Sequence, residues 1–262
     1  MERIAWLTSA RDQAAVDLLN AILANGIRPE LVICCPVPGA SGFVEQAGKC
    51  CTQFGVPQIV FEHPRGKSNE ERRIHDEYLW KLLAPHRFTR VFLVGYMRFV
   101  TSELLDKAEG TFINLHPATP TGPVGKWEDV VWKLIQTKAT ETGGMLHVTT
   151  KDLDRGPVIS YYTTPIGPGD FEFGPLWLQL NDKLRGRSLE EIVQNEGERE
   201  PLFSAIRKRQ FAREAPLLIV TLRRLQQGML RIVDGGVTMD GKFSSNGVCL
   251  TNEVETALVS LV

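Results

Sequence analysis

Residues 111–120 read TFINLHPATP, and the reading of this stretch decides the fold. Phe112, Ile113 and Leu115 mark a buried strand, yet Asn114 and His116 stand two apart within it. Side chains two apart on a strand point to the same face. A carboxamide and an imidazole are therefore aimed together at the end of an apolar strand, which Pro117 then stops.

Upstream of this strand, short apolar runs alternate with helical patterns. Segments 3–8, 31–34, 58–60 and 90–94 read as strands, with 111–115 as the fifth. Helical periodicity covers 13–24, where Ala15, Leu18, Leu19, Ile22 and Leu23 share a face and Asn25-Gly26 is the stop. It returns over 43–54, closed by Gly55, and over the charged segment 69–83, stopped near Pro85. Strands joined by helices need crossover connections, and those make neighbouring strands parallel. The expected fold is α/β, a Rossmann-like, doubly wound, mostly parallel sheet. Ligands of such sheets lie beyond the carboxyl ends of the strands, which is where Asn114 and His116 stand.

The chain of 262 residues is 43% hydrophobic and 23% charged, with a formal net charge of -1. That composition suits a globular protein with a large core, and it excludes a bulk electrostatic partner such as nucleic acid or a membrane surface. Cys34-Cys35, Cys50-Cys51 and Cys249 have no metal-binding spacing and mostly apolar flanks, which suits a reducing compartment. No basic leader precedes IAWLT, and no apolar run is long enough to span a bilayer. A cytoplasmic protein with a small-molecule ligand and no metal is the expectation. The apolar end ALVSLV suits a second copy of the chain as well as its own domain, so a homodimer is one expectation.

After Pro117 the texture changes. A Pro/Gly-rich loop, ATPTGPVG, leads into a helical pattern over 127–137. Strands 144–149 and 158–164 flank the turn KDLDRGP and predict an antiparallel hairpin at the sheet edge. Segment 175–228 reads as helical and strongly charged, and 230–262 as short β-like runs with DGG, DGK and SNG turns. The expected division is a catalytic core over 1–170, a helical insertion over 171–210, and a C-terminal helix and tail over 211–262 packing on the core.

Asp154, within DLDRGPVI, adds a carboxylate to the polar pair. An isolated carboxylate before a glycine is commonly a turn residue. Imidazole moves protons near neutral pH, a carboxylate favours its cationic form, and a carboxamide can donate to a developing oxyanion. With no serine or cysteine poised as a nucleophile, these three groups suggest direct transfer of a small acyl group. Chemistry alone stops there.

INLHP at 113–117 and LDRGPVI at 153–159, in that order and spacing, resemble the core of the folate-dependent formyltransferases. GYMRFV at 95–100 is similar to the segment that lines their folate pocket. The resemblance covers about residues 3–170 and returns at REAPLLIVTLRRLQQGMLRI, 213–232; its layout is nearest the purine-synthesis branch of the family. It implies 10-formyltetrahydrofolate as formyl donor and Asn114, His116 and Asp154 as catalytic residues. It places Met97, Arg98, Phe99 and Val100 on one wall of the donor pocket and Thr150, Lys151, Asp152 and Leu153 on the other. Arg65 falls where the family has a cofactor-site arginine. His147 matches a family histidine, with a structural role expected, whereas His63, His75 and His86 read as surface residues. In the implied mechanism a primary amine attacks the formyl carbon. Asn114 and a protonated His116 then stabilise the oxyanion, and Asp154 raises the His116 pKa.

The acceptor side departs from that pattern. Where the family has a Gly-rich phosphate loop, this chain has TSARDQAA at 8–15, leaving Ser9, Ala10, Arg11 and Asp12 as acceptor contacts, with Asp12 also suited to capping the helix. Anchoring the last helix on Gly228 puts Glu214 where a family glutamate holds the acceptor. Arg207, Lys208 and Arg209 lie in the charged run EREPLFSAIRKRQFAR and are candidates for a phosphate that the first turn no longer holds. The implied acceptor is phosphoribosylglycinamide. A nucleotide-linked amino sugar, water in a formyltetrahydrofolate deformylase, and a non-catalytic folate or nucleotide binder are the alternatives.

Overall fold

The computed structural model describes residues 2–62, 68–108 and 110–261. Five parallel strands carry the first half: β1 (Ile4–Thr8), β2 (Leu31–Cys34), β3 (Gln58–Val60), β4 (Arg90–Leu93) and β5 (Phe112–His116), in the order β3-β2-β1-β4-β5. Helices cross between them: α1 (Gln13–Ala24), α2 (Ser41–Phe54), α3 (Asn69–Leu83) and α4 (Ser102–Lys107). β1 and β2 are buried at every position, as strands covered on both faces must be. Alternation sorts their side chains into two cores. Ile4, Trp6, Val32, Phe92 and Ile113 face one cluster with residues of α1, while Ala5, Leu7, Leu31, Leu93 and Phe112 face another with residues of α3 and α4.

Local chemistry sets the helix ends. The Asp12 carboxylate accepts the Ala15 amide at the start of α1. Ser68 and Glu71 form a reciprocal capping box on α3.

Beyond β5 the sheet turns antiparallel. α5 (Trp127–Gln136) leads into β6 (Glu141–Val148), which pairs with β5, and β7 (Val158–Pro165) follows as the second arm of the hairpin. α6 (Phe173–Lys183) and α7 (Leu189–Glu196) then pack with α5 and the start of α8 (Pro201–Gln226) around Val131, Trp177, Phe203 and Ile206. α8 is 26 residues long, so it runs across residue 210 and its second half, with Leu217, Leu218 and Leu222, enters the core beside α1. The Glu200 carboxylate, fully buried at its start, accepts the Phe203 amide and the Lys183 ammonium.

The tail differs from its sequence reading in two respects. β8 (Leu230–Val233), β9 (Gly236–Met239) and β10 (Lys242–Ser244) make a small antiparallel sheet, as the turn signals predict. β11 (Val248–Cys249) then adds to β7 as a parallel strand, so the hairpin is not the sheet edge; the main sheet has eight strands. The chain continues as helix α9 (Thr251–Leu261), where the sequence reading had only β-like runs. No helix among the described residues is long and apolar enough to cross a membrane.

The winding reverses between β1 and β4, and there the two strand ends are tied by the Ser9 amide, which donates to the Gly95 carbonyl at 3.0 Å. Gly95 has φ +61°, and a Cβ on it would lie 2.9 Å from the Ala15 Cβ of α1. Gly95→Ala is therefore expected to cost about 1–3 kcal/mol through left-handed strain and displacement of α1. Urea unfolding should show a lower midpoint, and an unchanged one would contradict this account.

Candidate active site

β5 delivers Asn114 and His116 to its carboxyl end on the face that Phe112 shares, and β6 delivers His147 directly opposite Asn114 in the antiparallel register. Asp154 arrives from the loop between β6 and β7. That loop can fold so tightly because Gly156 has no Cβ: one would stand 1.8 Å from the Val148 carbonyl oxygen. Asp154 itself adopts φ 51°, a left-handed value that short polar side chains tolerate better than most.

The four side chains meet around the Asp154 carboxylate. Asn114 Nδ2 donates to Oδ1 at 3.3 Å, and His147 Nε2 stands 3.6 Å from the same oxygen. His116 Nδ1 is 3.5 Å from Oδ2, which also accepts the Gly125 amide at 2.9 Å. Asp154, forty residues beyond Asn114 in sequence, thus converges with Asn114 and His116 at one strand end, and His147 completes the group. Its register position opposite Asn114 is the signal that could have moved it from a structural role to the site.

Carbonyl partners fix the tautomers, because a carbonyl only accepts. His116 Nε2 lies 2.8 Å from the Pro123 oxygen and so carries the proton, leaving the Nδ1 lone pair toward Asp154 when the ring is neutral. His147 Nδ1 likewise donates to the Val148 oxygen, and Nε2 accepts from Asn114 Nδ2 at 3.3 Å. Burial pushes the His116 pKa down; Asp154 opposes this, as does the Pro123 carbonyl, yet the net direction is below the usual 6.5. Asp154 thus raises the His116 pKa, as the sequence reading expects, but the loss of water around the ring outweighs it. For Asp154 burial is again the largest single influence, upward. His147, His116 and the Gly125 amide together outweigh it and hold the carboxyl below its ordinary range.

Of the expected donor-pocket residues, Arg65 lies outside the described residues. The Met97 amide donates to Ser9 Oγ at 3.0 Å, and Arg98 Nη2 donates to the Pro36 carbonyl at 2.7 Å. Arg98 Nε and Nη1 are buried with no hydrogen-bond partner among the described residues. Phe99 is exposed, whereas Val100 packs on the α3–α4 core. On the other wall Thr150 Oγ1 donates to the Asp152 carbonyl, Lys151 pairs with Asp106, and Leu153 is exposed.

The expected acceptor residues are largely engaged with one another. Ser9 is buried with its hydroxyl on the Met97 amide, and Ala10 has φ 44°. Arg11 bridges Asp12 at 3.1 Å and Glu128 at 3.5 Å, while Asp12 caps α1. Glu214 pairs with Arg207, whose guanidinium lies 4.9 Å from the Trp127 ring centre and 5.3 Å from that of Phe211. Arg209 is elsewhere, pairing with Glu172 and covering Phe173. Glu128 and Trp127, both on α5, escaped the sequence reading because their place on this rim is set by tertiary packing.

Comparison with known proteins agrees with this geometry. The structure is similar to that of the phosphoribosylglycinamide formyltransferase from Coxiella burnetii, with a TM-score of 0.68 and 20% identity over 94% of this chain and 97% of that one. It is also similar to a formyltetrahydrofolate deformylase from Pseudomonas syringae pv. tomato, with a TM-score of 0.62 and 14% identity over 91% of this chain and 66% of that one. At those identities the likeness is one of fold. In sequence, 116 residues, 44% of the chain, are 28% identical to the trifunctional purine biosynthetic protein adenosine-3 of Homo sapiens, of which they span 11%. The formyl transferase model matches residues 2–173, a stretch that holds every strand from β1 to β7 and all four residues gathered around Asp154; the chain belongs to the formyl transferase family.

Proposed function

We propose that this protein transfers the formyl group of 10-formyltetrahydrofolate to a primary amine, with phosphoribosylglycinamide as acceptor in purine biosynthesis. The observation that carries the reading is the meeting of Asn114, at 3.3 Å, and His116, at 3.5 Å, on the Asp154 carboxylate at the carboxyl end of β5. The names of the relatives support the acceptor. Free cysteines, three of them buried, support a reducing, cytoplasmic setting, and the exposed Val259 on α9 supports a homodimer.

The donor fits the residues of its expected wall. Segment 97–100 offers backbone groups beside the exposed Phe99, and Arg98 Nε and Nη1, which have no hydrogen-bond partner among the described residues, are donors that polar atoms of a ligand could satisfy. In the reaction the amine nitrogen attacks the formyl carbon, a C–N bond forms, and the carbonyl oxygen becomes an oxyanion. Asn114 Nδ2 and His116 Nε2–H are the donors for that charge. At rest both are engaged, with Asp154 and the Pro123 carbonyl respectively, so substrate must exchange those bonds. A neutral His116 suits the resting site, because its pKa is depressed there. An oxyanion beside the ring favours its cation, so the amine proton can pass by way of the Asp154 carboxylate, which faces Nδ1 at 3.5 Å, and return by the same route to the departing folate nitrogen as the old C–N bond breaks.

A second reading, hydrolysis of the same donor or transfer to another amine such as a nucleotide-linked amino sugar, draws on the acceptor rim. The Asp12 carboxylate already fills the amide site at the start of α1 that a phosphate would use. Tetrahydrofolate release should require phosphoribosylglycinamide. Release without any amine would favour hydrolysis, and none with any acceptor would leave a binding protein.

Asn114→Ala or His116→Ala should each lower kcat on the order of a hundredfold or more, since one oxyanion donor is worth ~3 kcal/mol in the barrier; rates within a few-fold of wild type would contradict the roles given. In the free enzyme, NMR titration of His116 should give a midpoint below 6.5. Asp154→Asn removes the influence that raises it and should move the midpoint further down; a rise would reverse the electrostatic assignment.

A further inference from the structure

His75, expected at the surface, is fully buried on α3, and its neighbour Asp76 is 1% exposed. The chemistry at β5 uses neither. His75 Nδ1 lies 2.9 Å from Asp76 Oδ1, and Asp76 Oδ2 accepts the Thr101 amide at 2.7 Å. Thr101 directly follows segment 97–100 and is the N-cap of α4, with φ -71° and no side-chain cap of its own. A carboxylate from another helix thus takes the amide that a capping box would satisfy locally.

The other end of the same segment is fixed by Ser9, whose hydroxyl accepts the Met97 amide. Between these two anchors Arg98 reaches Pro36, and Phe99 faces solvent. The segment is therefore held from behind at both ends by buried side chains while its front is open. Burying an anion costs several kcal/mol unless donors surround it, which is a large outlay for the cap of a six-residue helix. A short, charge-assisted bond does fix the position of one backbone amide closely.

We propose that Asp76 is a positioning residue for the formyl donor, setting the backbone of 97–100 against a reduced pterin. This rests on the reading of 97–100 as a wall of the donor pocket. Asp76 touches neither substrate; it acts through Thr101. His75, edge-on to Phe61 with ring centres 5.1 Å apart, orients the carboxylate.

The test compares the whole protein with its Asp76→Ala, Asp76→Asn and Thr101→Pro variants. Binding of 5-formyltetrahydrofolate, a folate that need not turn over, is measured by fluorescence quenching, and KM for phosphoribosylglycinamide is measured alongside. Asp76→Ala should weaken folate binding by about tenfold, the typical worth of a hydrogen bond to a charged group. The acceptor KM should stay within about twofold, and Asp76→Asn, which keeps an oxygen for the amide, should recover most of the loss. Thr101→Pro removes the amide at a φ that proline accepts, so it should give the same selective loss even if Asp76→Ala does not fold. Unchanged folate affinity in either variant that folds, or equal weakening of donor and acceptor, overturns the proposal. Wild-type protein that binds the folate but transfers no formyl group overturns the reading of the reaction alone; failure to bind it overturns both.

Discussion

Asp154 is buried, yet its two oxygens face the Gly125 amide, the Asn114 carboxamide and the imidazoles of His116 and His147, all within 3.6 Å. A carboxylate withdrawn from water is unstable without such partners, and removing partners singly leaves it uncompensated. The constraint runs outward from there. The hairpin between β6 and β7 must close tightly enough to bring the carboxylate in, which requires Gly156. β6 must pair with β5 in the register that sets His147 against Asn114. The loop after β5 must return so that Gly125 and Pro123 reach the same place.

What was legible in the sequence follows from this dependence. Strands β1 and β2 are apolar runs because both faces are covered, and runs of that kind announce themselves. Asn114 and His116 stand out because alternation makes a shared face unavoidable. Asp12, readable as a helix cap, is one. β11 has two residues, too few for any pattern, and its place beside β7 is decided by the geometry of the tail. α9, TNEVETALVSL, carries β-branched residues that favour strands, and burial of Val254 outweighs that preference. The sign of the His116 shift was hidden for another reason. Desolvation depends on everything packed around the ring, and residue types alone do not report it.

The two groups of expected ligand contacts have different characters. Segment 97–100 is a backbone stretch braced from behind, and its Arg98 has two nitrogens with no hydrogen-bond partner among the described residues. The charges at the start of α1 and in the middle of α8 are closed on one another, with Arg11 given to Asp12 and Glu128, and Arg207 given to Glu214 beside two aromatic rings. Each ion pair there sits partly out of water, where exchanging one partner for a ligand group costs less than creating a new charge site. A ligand group reaching those arginines would therefore have to exchange places with a carboxylate.

α8 gives the molecule a mechanical link. One end of this unbroken helix is embedded among α5, α6 and α7 and the other in the central core, with Arg207 and Glu214 between them. Thr142, Ser160 and Tyr162 of the β6–β7 hairpin are hydrogen-bonded to Gln210 and Thr221 of the same helix, so any resizing of the α6–α7 bundle would be felt along the hairpin as well as at Arg207 and Glu214. Change at the periphery of the bundle is therefore transmitted to the strands beside the Asp154 cluster, and the helix acts as a beam that couples the two regions.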